Sequence, residues 1–241
     1  MGEDTEGKEC VPAGNEVEFI VMTVADRPST SPEPEMHGGQ RFVFEQADWL
    51  LYEHIGRTLQ DQHVFVTYYK GRLEVVTVSY LHERIIALIV MLIRVLAEET
   101  ETPLASAGMT TLRRKDLAEA IEPDASFYTV NESRMRGKKE IDLSVDPPPD
   151  LAVEVEATSR LGARKSIYRD LGVAEVWQYG AGGLTILSKR GDHYEAAERS
   201  PTFPQISPQE IFQIVTSGLD KDETKLAKSF RQRVRDLVTK R

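Results

Sequence analysis

The stretch Pro149-Asp150-Leu151-Ala152-Val153-Glu154-Val155-Glu156-Ala157 places carboxylates inside a run that otherwise predicts a buried β-strand. An earlier stretch, Ile121-Glu122-Pro123-Asp124-Ala125-Ser126-Phe127-Tyr128, has the same character. An ionised carboxylate is costly to bury unless a cation, a proton or strong hydrogen-bond donors meet it. If these two strands lie side by side, their carboxylates form a pocket for a divalent metal ion. This pocket is the principal site hypothesis for the chain.

Side chains on the strand over residues 151–157 alternate between its two faces. One face carries apolar residues and the other carries alanine and the acids: Leu151, Val153 and Val155 against Ala152, Glu154 and Glu156. A solvent-exposed second face is one interpretation of this pattern. A helical pattern follows the strand at once, however, and the central strands of strand–helix–strand units are covered on both faces. The order of elements therefore favours an enclosed Glu154.

The first acid of the predicted pocket is Asp124. Pro123 before it lacks a backbone N–H and restricts Glu122 to an extended conformation, as expected at the start or edge of a strand. An aspartate in such a place is otherwise a turn residue. Mg²⁺ and Mn²⁺ prefer carboxylates, carbonyls and water as ligands. Asp124, Glu154 and a main-chain carbonyl could thus hold an ion that polarises a phosphoryl oxygen and lowers the pKa of bound water, as phosphodiester hydrolysis requires.

Composition limits the classes of protein to which the chain can belong. Its 241 residues, 40% hydrophobic and 29% charged, suffice for one domain with appendages. The single cysteine, Cys10, excludes a disulfide framework and a cysteine-based zinc site. The acidic N-terminus and the short apolar runs predict neither a signal peptide nor a membrane span, so we expect a cytoplasmic protein. The net charge of −9 argues against a protein that coats DNA non-specifically, although residues 113–115, 134–139 and 160–165 are basic.

The chain divides into three predicted parts. These are a mostly disordered segment over residues 1–40, a main domain over 41–218 and a C-terminal helix over 219–241. Gly, Pro, Ser and Glu dominate the first part, which buries too little apolar surface to offset the entropy of ordering. Within it, residues 17–24 have the pattern of a short strand.

Hydrophobic periodicity predicts helices and strands in alternation. The predicted helices cover residues 46–60, 81–99, 161–171 and 222–238, the third of them capped by Thr158 or Ser159 and ended by Gly172. The predicted strands cover residues 64–69, 73–78, 109–113, 125–130, 151–157, 175–179, 184–187 and 193–195, with a hairpin turn at Lys70-Gly71 and a polar loop over 131–149. This order predicts a mixed α/β sheet with helices packed on it.

Several motifs occur together in one order. They are Lys70-Gly71-Arg72-Leu73-Glu74, His82-Glu83-Arg84-Ile85, Glu122-Pro123-Asp124, Pro148 to Val155, Ile167-Tyr168 and Leu171 to Trp177. Over roughly residues 60–215 the chain resembles the Uma-two family of the PD-(D/E)XK superfamily. The resemblance implies a restriction-endonuclease-like core, a metal-dependent DNA endonuclease and often a homodimer. It also implies that Asp124 and Glu154 are the first and second acids of the metal site.

One position departs from the superfamily pattern, in which a lysine lies two residues after the second acid. In this chain that residue is Glu156. Family members commonly carry the basic residue on the following helix, where this chain has Arg164 and Lys165. Arginine can stabilise charge on a phosphorane but cannot act as a general base, whereas lysine can do either. Glu156 then either weakens catalysis or supplies a third metal ligand.

Two hypotheses of different class follow. The first is an endonuclease that uses Mg²⁺ or Mn²⁺ to cleave DNA, with two carboxylates as metal ligands. Its predicted catalytic residues are Asp124, Glu154, Glu156, Arg164 and Lys165, and its candidate substrate-binding residues are His82 and Glu74. The second is a catalytically inactive dimeric module of the same fold that binds a partner. Glu156 and the acidic net charge favour the second hypothesis.

Overall fold

The computed structural model describes residues 40–60, 62, 64–77, 79–155 and 161–239. These residues form six α-helices: α1 (Trp49–Thr58), α2 (Tyr80–Glu99), α3 (Glu132–Met135), α4 (Leu161–Leu171), α5 (Pro208–Gly218) and α6 (Glu223–Thr239). They also form eleven strands: β1 (Arg41–Glu45), β2 (Val64–Tyr69), β3 (Arg72–Thr77), β4 (Ala105–Ser106), β5 (Leu112–Arg114), β6 (Glu119–Ile121), β7 (Ala125–Tyr128), β8 (Leu151–Val155), β9 (Glu175–Gly180), β10 (Gly183–Arg190) and β11 (His193–Ala197). None of the helices in these ranges is both long and apolar enough to cross a membrane.

The larger of two sheets contains six strands in the order β11-β10-β9-β8-β7-β4. β8 and β9 are parallel, and every other neighbouring pair in this sheet is antiparallel. Parallel neighbours need a crossover connection, which is usually a helix. Here that helix is α4, so the carboxyl end of β8 leads into α4.

The smaller sheet contains five strands in the order β1-β3-β2-β6-β5, all antiparallel to their neighbours. The predicted hairpin is confirmed as β2 and β3. Its two turn residues, Lys70 and Gly71, have φ angles of +46° and +94°. Two successive left-handed residues twist the chain in the sense that a two-residue hairpin requires, and glycine adopts this conformation without a steric penalty.

The chain passes from the smaller sheet to the larger one through Glu122-Pro123-Asp124. β6 ends at Ile121 in one sheet, and β7 begins at Ala125 in the other. Proline has no N–H to donate to a strand ladder, so it suits a corner at which pairing stops. The corner places Asp124 at the junction of the two sheets.

β8 is covered on both faces, as predicted for a central strand. Leu151, Val153 and Val155 belong to a core cluster that includes residues of α2, α5 and α6. Ala152, on the opposite face, packs in a second cluster with residues of α4. The predicted alternation is thus confirmed, and Glu154 shares the face that looks toward α4.

The end of α4 is also confirmed. The Gly172 N–H donates to the Tyr168 carbonyl at 3.0 Å, and Gly172 has a φ angle of +88°. A left-handed glycine after the last turn satisfies carbonyls that the helix leaves unpaired. The helix therefore stops where the chain must turn to enter β9.

Several elements differ from the sequence prediction. The prediction of a mixed α/β arrangement with flanking helices is confirmed, but it did not separate two sheets. β1, β4, β6, α3 and α5 were not predicted, and the strand expected over residues 109–113 lies at Leu112–Arg114. Apart from α5, these unpredicted elements have five residues or fewer, too few for hydrophobic periodicity to show. α5 does carry a helix-start signal in the sequence, the Ser207 cap followed by Pro208 in the first turn. The segment 1–39 with its strand at 17–24, Glu156, Thr158 and Ser159 lie outside the described residues.

Candidate active site

Asp124 and Glu154 lie side by side where the two sheets meet. The antiparallel register pairs Ala125 with Val153, so the next opposed positions are Asp124 and Glu154. Opposed residues of antiparallel strands point to the same face. The Val155 N–H donates to Asp124 Oδ2 at 2.6 Å and fixes this carboxylate beside β8. Only 7% and 5% of the two acidic side chains are exposed, which excludes the interpretation of Glu154 as part of a solvent-exposed face.

Glu154 is bound by two side chains of α4. Arg164 donates from Nε to Oε2 at 2.9 Å and from Nη2 to Oε1 at 2.7 Å, a bidentate pair. Tyr168, four residues later on the same helix face, donates its hydroxyl to Oε1. Burial raises the pKa of Glu154; the Arg164 guanidinium opposes the rise, and the charge of Asp124 adds to it. Three hydrogen bonds thus hold one buried carboxylate.

Arg164 also connects α4 to both sheets. Its Nη1 donates to Thr67 Oγ1 and its Nη2 to the main-chain carbonyl of Glu122, both at 2.8 Å. With the two bonds to Glu154, these contacts occupy all but one of the five guanidinium N–H groups. Burial lowers the pKa of Arg164, but the charge and hydrogen bonds of Glu154 together with the charges of Tyr168 and Asp124 outweigh burial, so the pKa is raised overall. Arg164 is therefore a permanently charged group with little capacity for a further acceptor.

His82 contacts Asp124 from the start of α2. Ser79 caps this helix by accepting the His82 N–H at 3.2 Å, and His82 Nε2 lies 3.2 Å from Asp124 Oδ2. The imidazole is buried and meets the ring of Phe65 edge-on. Burial lowers the pKa of His82, but the hydrogen bond to Asp124 and its charge outweigh that effect and raise the pKa overall. Asp124 thus receives one donor from β8 and faces an imidazole on α2.

Two further predicted site residues that the structure describes, Lys165 and Glu74, form no hydrogen bond or ion pair with Asp124 or Glu154. Lys165 is half-buried beside Arg164 and forms no ion pair within the part of the chain that the structure describes. Glu74 lies opposite Thr67 in the register of β2 and β3, one strand farther from α4. Its carboxylate binds Arg41 through two contacts of 2.8 Å.

Three residues that sequence reasoning does not assign complete the site. The Glu122 carboxylate accepts the Val66 N–H at 3.0 Å and the Thr111 hydroxyl at 2.9 Å, next to the point where β6 ends. Tyr168 carries a local signal, since it follows Arg164 by one helical turn. Thr67 has no such signal, because it is 97 residues from the guanidinium that it binds.

Two adjoining clefts open beside the site and share Glu122 in their linings. A cleft of about 410 Å³ contains two cations, Arg57 and Arg113. The other, of about 360 Å³, is lined by Phe65, whose ring contacts His82. The second cleft therefore approaches the Asp124 side of the site.

The oxygen atoms that stay open fit a divalent cation. Asp124 Oδ1 accepts no hydrogen bond from the described residues, and Glu154 Oε2 accepts one, from Arg164. Carboxylate oxygens are the ligands that Mg²⁺ and Mn²⁺ prefer, completed by main-chain carbonyls and water. Over the same residues there is no group of three or more His, Cys, Asp or Glu side chains that could hold a metal ion. Within the described residues, a divalent cation at this site would thus have two carboxylate ligands, those of Asp124 and Glu154.

The mixed α/β fold, with one buried acid on β8, another directly before β7 and a basic residue on the following helix, is consistent with a restriction-endonuclease-like protein. The chain belongs to the Uma2 family, described as "Putative restriction endonuclease", which matches residues 51–220. It is also similar to the crystal structure of "a putative nuclease belonging to DUF820" from Anabaena variabilis ATCC 29413. That similarity has a TM-score of 0.45 and 16% sequence identity, and it covers 62% of this chain and 90% of the other. No curated protein matches the chain.

Proposed function

We propose that this protein is a metal-dependent nuclease that hydrolyses phosphodiester bonds in DNA. The observation that carries the proposal is the pair Asp124 and Glu154, two buried carboxylates that lie side by side, one directly before β7 and the other on β8. Burying two acids together is costly, so such pairs concentrate at sites that bind cations or perform chemistry. Membership of a family described as restriction endonucleases supports the same class of reaction and a nucleic-acid substrate.

Asp124 and Glu154 would hold a Mg²⁺ or Mn²⁺ ion. Such an ion polarises a phosphoryl oxygen and lowers the pKa of a bound water. The side chains around the two acids supply orientation. His82 contacts the Asp124 carboxylate, and Arg164 and Tyr168 hold both oxygens of Glu154. Ligands fixed by such partners need no reorganisation when substrate arrives.

Lys165 is the stronger candidate for the cation at the scissile phosphate. Arg164 commits four N–H groups to Glu154, Thr67 and a main-chain carbonyl. The Lys165 ammonium has no ion-pair partner among the described residues, and it can stabilise phosphorane charge or act as a base. Arg57 and Arg113 in the adjoining cleft would bind phosphates along the DNA backbone.

A second candidate function is a catalytically inactive module of the same fold that binds a partner. The observation that favours it is the occupancy of Glu154 Oε1, which already accepts hydrogen bonds from both Arg164 and Tyr168. The Arg164 charge offsets one of the two carboxylate charges. A divalent cation would gain less from such a pair than from two unpaired carboxylates.

Nicking of supercoiled plasmid DNA in Mg²⁺ or Mn²⁺ tests the proposal. Asp124→Asn keeps an acceptor for the Val155 N–H and removes the charge, so we expect it to lower the nicking rate by about a hundredfold or more. Glu154→Gln should have an effect of the same kind. Glu119→Gln is the matched control, because Glu119 is another buried glutamate, contacts the far end of α4, and should leave nicking unchanged.

The outcomes separate the two candidates. Nicking that depends on the metal ion and is lost in both site variants supports the nuclease. Undiminished nicking in both variants contradicts the assigned residues. A wild-type protein that is folded and cleaves no DNA with either ion favours the inactive module.

A further inference from the structure

β1 is the outermost strand of the smaller sheet within the described residues. All five of its residues, Arg41-Phe42-Val43-Phe44-Glu45, are exposed. The three apolar side chains leave 51%, 36% and 45% of their surface open to solvent. Natural proteins protect sheet edges with charged residues, above all lysine, and with proline or bulges. This strand has a charged residue at each end, but its three central residues are apolar and it contains neither lysine nor proline. Its open edge is therefore suited to pair with another strand.

The hydrogen-bonding phase of β1 determines which groups are open. The Thr77 N–H donates to the Gln40 carbonyl at 3.0 Å, so Gln40 directs its main-chain groups toward β3. In an antiparallel pair, every second residue directs its N–H and C=O toward the same neighbour. The even-numbered residues of β1 therefore face β3. The odd-numbered ones, Arg41, Val43 and Glu45, direct their N–H and C=O groups outward.

The sequence of β1 is symmetric about its central residue. Opposite charges stand at the two ends, Arg41 and Glu45, and a phenylalanine flanks Val43 on each side. We propose that β1 of a second copy of this chain pairs antiparallel with this strand about a two-fold axis at Val43. A two-fold contact requires a surface that complements itself, and this strand has one.

Each open group of β1 has a partner in this register. Val43 lies opposite Val43 of the partner subunit, and Arg41 lies opposite Glu45 of the partner subunit. These outward-directed residues form the hydrogen-bonded pairs of the new ladder, so all their N–H and C=O groups are satisfied. On the other face, Phe42 meets Phe44 of the partner subunit, a cross-strand aromatic contact. The pairing therefore combines main-chain, ionic and aromatic contacts.

The charges select this arrangement over others. A parallel pairing would oppose Arg41 to Arg41 of the partner subunit and Glu45 to Glu45 of the partner subunit, and like charges directly opposed are destabilising. Within its own chain Arg41 uses Nε and Nη2 to bind Glu74. Its Nη1 remains for Glu45 of the partner subunit. Glu45 also has a partner in its own chain, since its Oε1 lies 3.3 Å from Arg72 Nη1, and its Oε2 remains for Arg41 of the partner subunit. The ion pair across the interface thus requires neither internal ion pair to break.

Sedimentation velocity on the full-length protein tests the proposal. One strand pair is smaller than a standard interface of roughly 800 Å² per partner, so we expect a dimer that dissociates at about micromolar concentration. Arg41→Glu and Glu45→Arg each place like charges in both opposed positions. Each variant alone should raise the dissociation constant by about tenfold or more. Far-UV circular dichroism and thermal melting show that each variant is folded.

Mixing the two variants is the decisive arm of the experiment. A chain with Glu at both ends of β1 complements a chain with Arg at both ends, so at a concentration at which each variant alone is mostly monomeric the mixture should form a dimer. Three results overturn the proposal: a monomeric wild type, a dimer that neither substitution weakens, or a mixture that stays monomeric.

Cross-linking gives a second readout that does not depend on charge. With Cys10→Ser as background, Val43→Cys should yield a covalent dimer with a short bis-maleimide, because the two Val43 positions are opposed. Val145→Cys in the same background is the matched control, since Val145 is an exposed valine that is not part of β1. Equal cross-linking at both positions would contradict the proposed register.

Discussion

Helix α4 contacts two buried glutamates, one near each of its ends, and they are treated differently. Glu154 receives three hydrogen bonds from Arg164 and Tyr168. Glu119 has no exposed surface at all, and neither of its oxygens accepts a hydrogen bond from the described residues. Its cation is Lys70, 3.2 Å away on an exposed turn, and Asp170 lies beside it. One buried glutamate therefore has hydrogen-bond donors at both carboxylate oxygens, and the other has none among the described residues.

The two environments predict two chemical states. Burial and the neighbouring Asp170 raise the pKa of Glu119 to about 7, so near neutral pH this group holds a proton for part of the time. A carboxylate bound by a bidentate arginine can stay charged in a buried place, which a metal ligand must do. The difference shows that burial alone does not mark a site. The partners decide whether a buried acid can act as an anion.

The largest difference between the two glutamates is expected in the free energy of unfolding when the cation beside each of them is removed. Arg164→Met leaves Glu154 buried without its counter-charge and should lower the free energy of unfolding by about 3–5 kcal/mol. Lys70→Met removes a solvent-exposed partner of Glu119 and should cost less than about 1 kcal/mol. Urea unfolding at 25 °C measures both values. Similar losses in the two variants would show that Glu154 does not depend on Arg164 in the way described.

The next largest effect is expected in the pH dependence of the unfolding free energy, to which Glu119 should contribute. A folded-state pKa above the unfolded value of 4.5 means that the folded protein binds the Glu119 proton more tightly. This contribution is fully present below pH 4.5 and is lost as the pH rises through about 7. Relative to Glu119→Gln, the wild type should lose about 2–3 kcal/mol of unfolding free energy across that window. Parallel curves for the two proteins would contradict the raised pKa.

A smaller effect is expected from the tyrosine that binds Glu154. Tyr168→Phe deletes a hydrogen bond to a buried charged group and should cost about 2 kcal/mol. Tyr194→Phe is the matched control, because its buried hydroxyl donates to a neutral carbonyl, that of Val173, at 2.5 Å, and its loss should cost about 1 kcal/mol. Thermal and urea unfolding check the order. The reverse order would argue against a charged Glu154.

Much of the fold could be predicted because its signals are local. The Lys70-Gly71 turn, the amphipathic pattern of α2 and the Gly172 stop of α4 each lie within a few residues of the structure that they specify. The division into two sheets could not be predicted. It depends on the pairing of β6 with β2, which places β6 in the smaller sheet, while β7, after the corner, belongs to the larger one. Pairings between strands that are distant in the sequence leave no pattern in a single sequence.

The site follows the same rule. Asp124 and Glu154 could be predicted because acids inside strand patterns break a local expectation. Arg164 was predicted from the family, and its helical spacing to Tyr168 could have extended the prediction. Thr67 could not be predicted, since it lies on β2 of the smaller sheet, 97 residues before the arginine that it binds.

Asp124 and Glu154 are the proposed ligands of a divalent cation. Calorimetric titration of Mn²⁺ into the wild type, Asp124→Asn, Glu154→Gln and Glu119→Gln tests this proposal most directly. We predict a Mn²⁺ site in the wild type and in Glu119→Gln that is lost in the other two variants. Equal Mn²⁺ binding by all four proteins, or binding by none of them, would contradict the account.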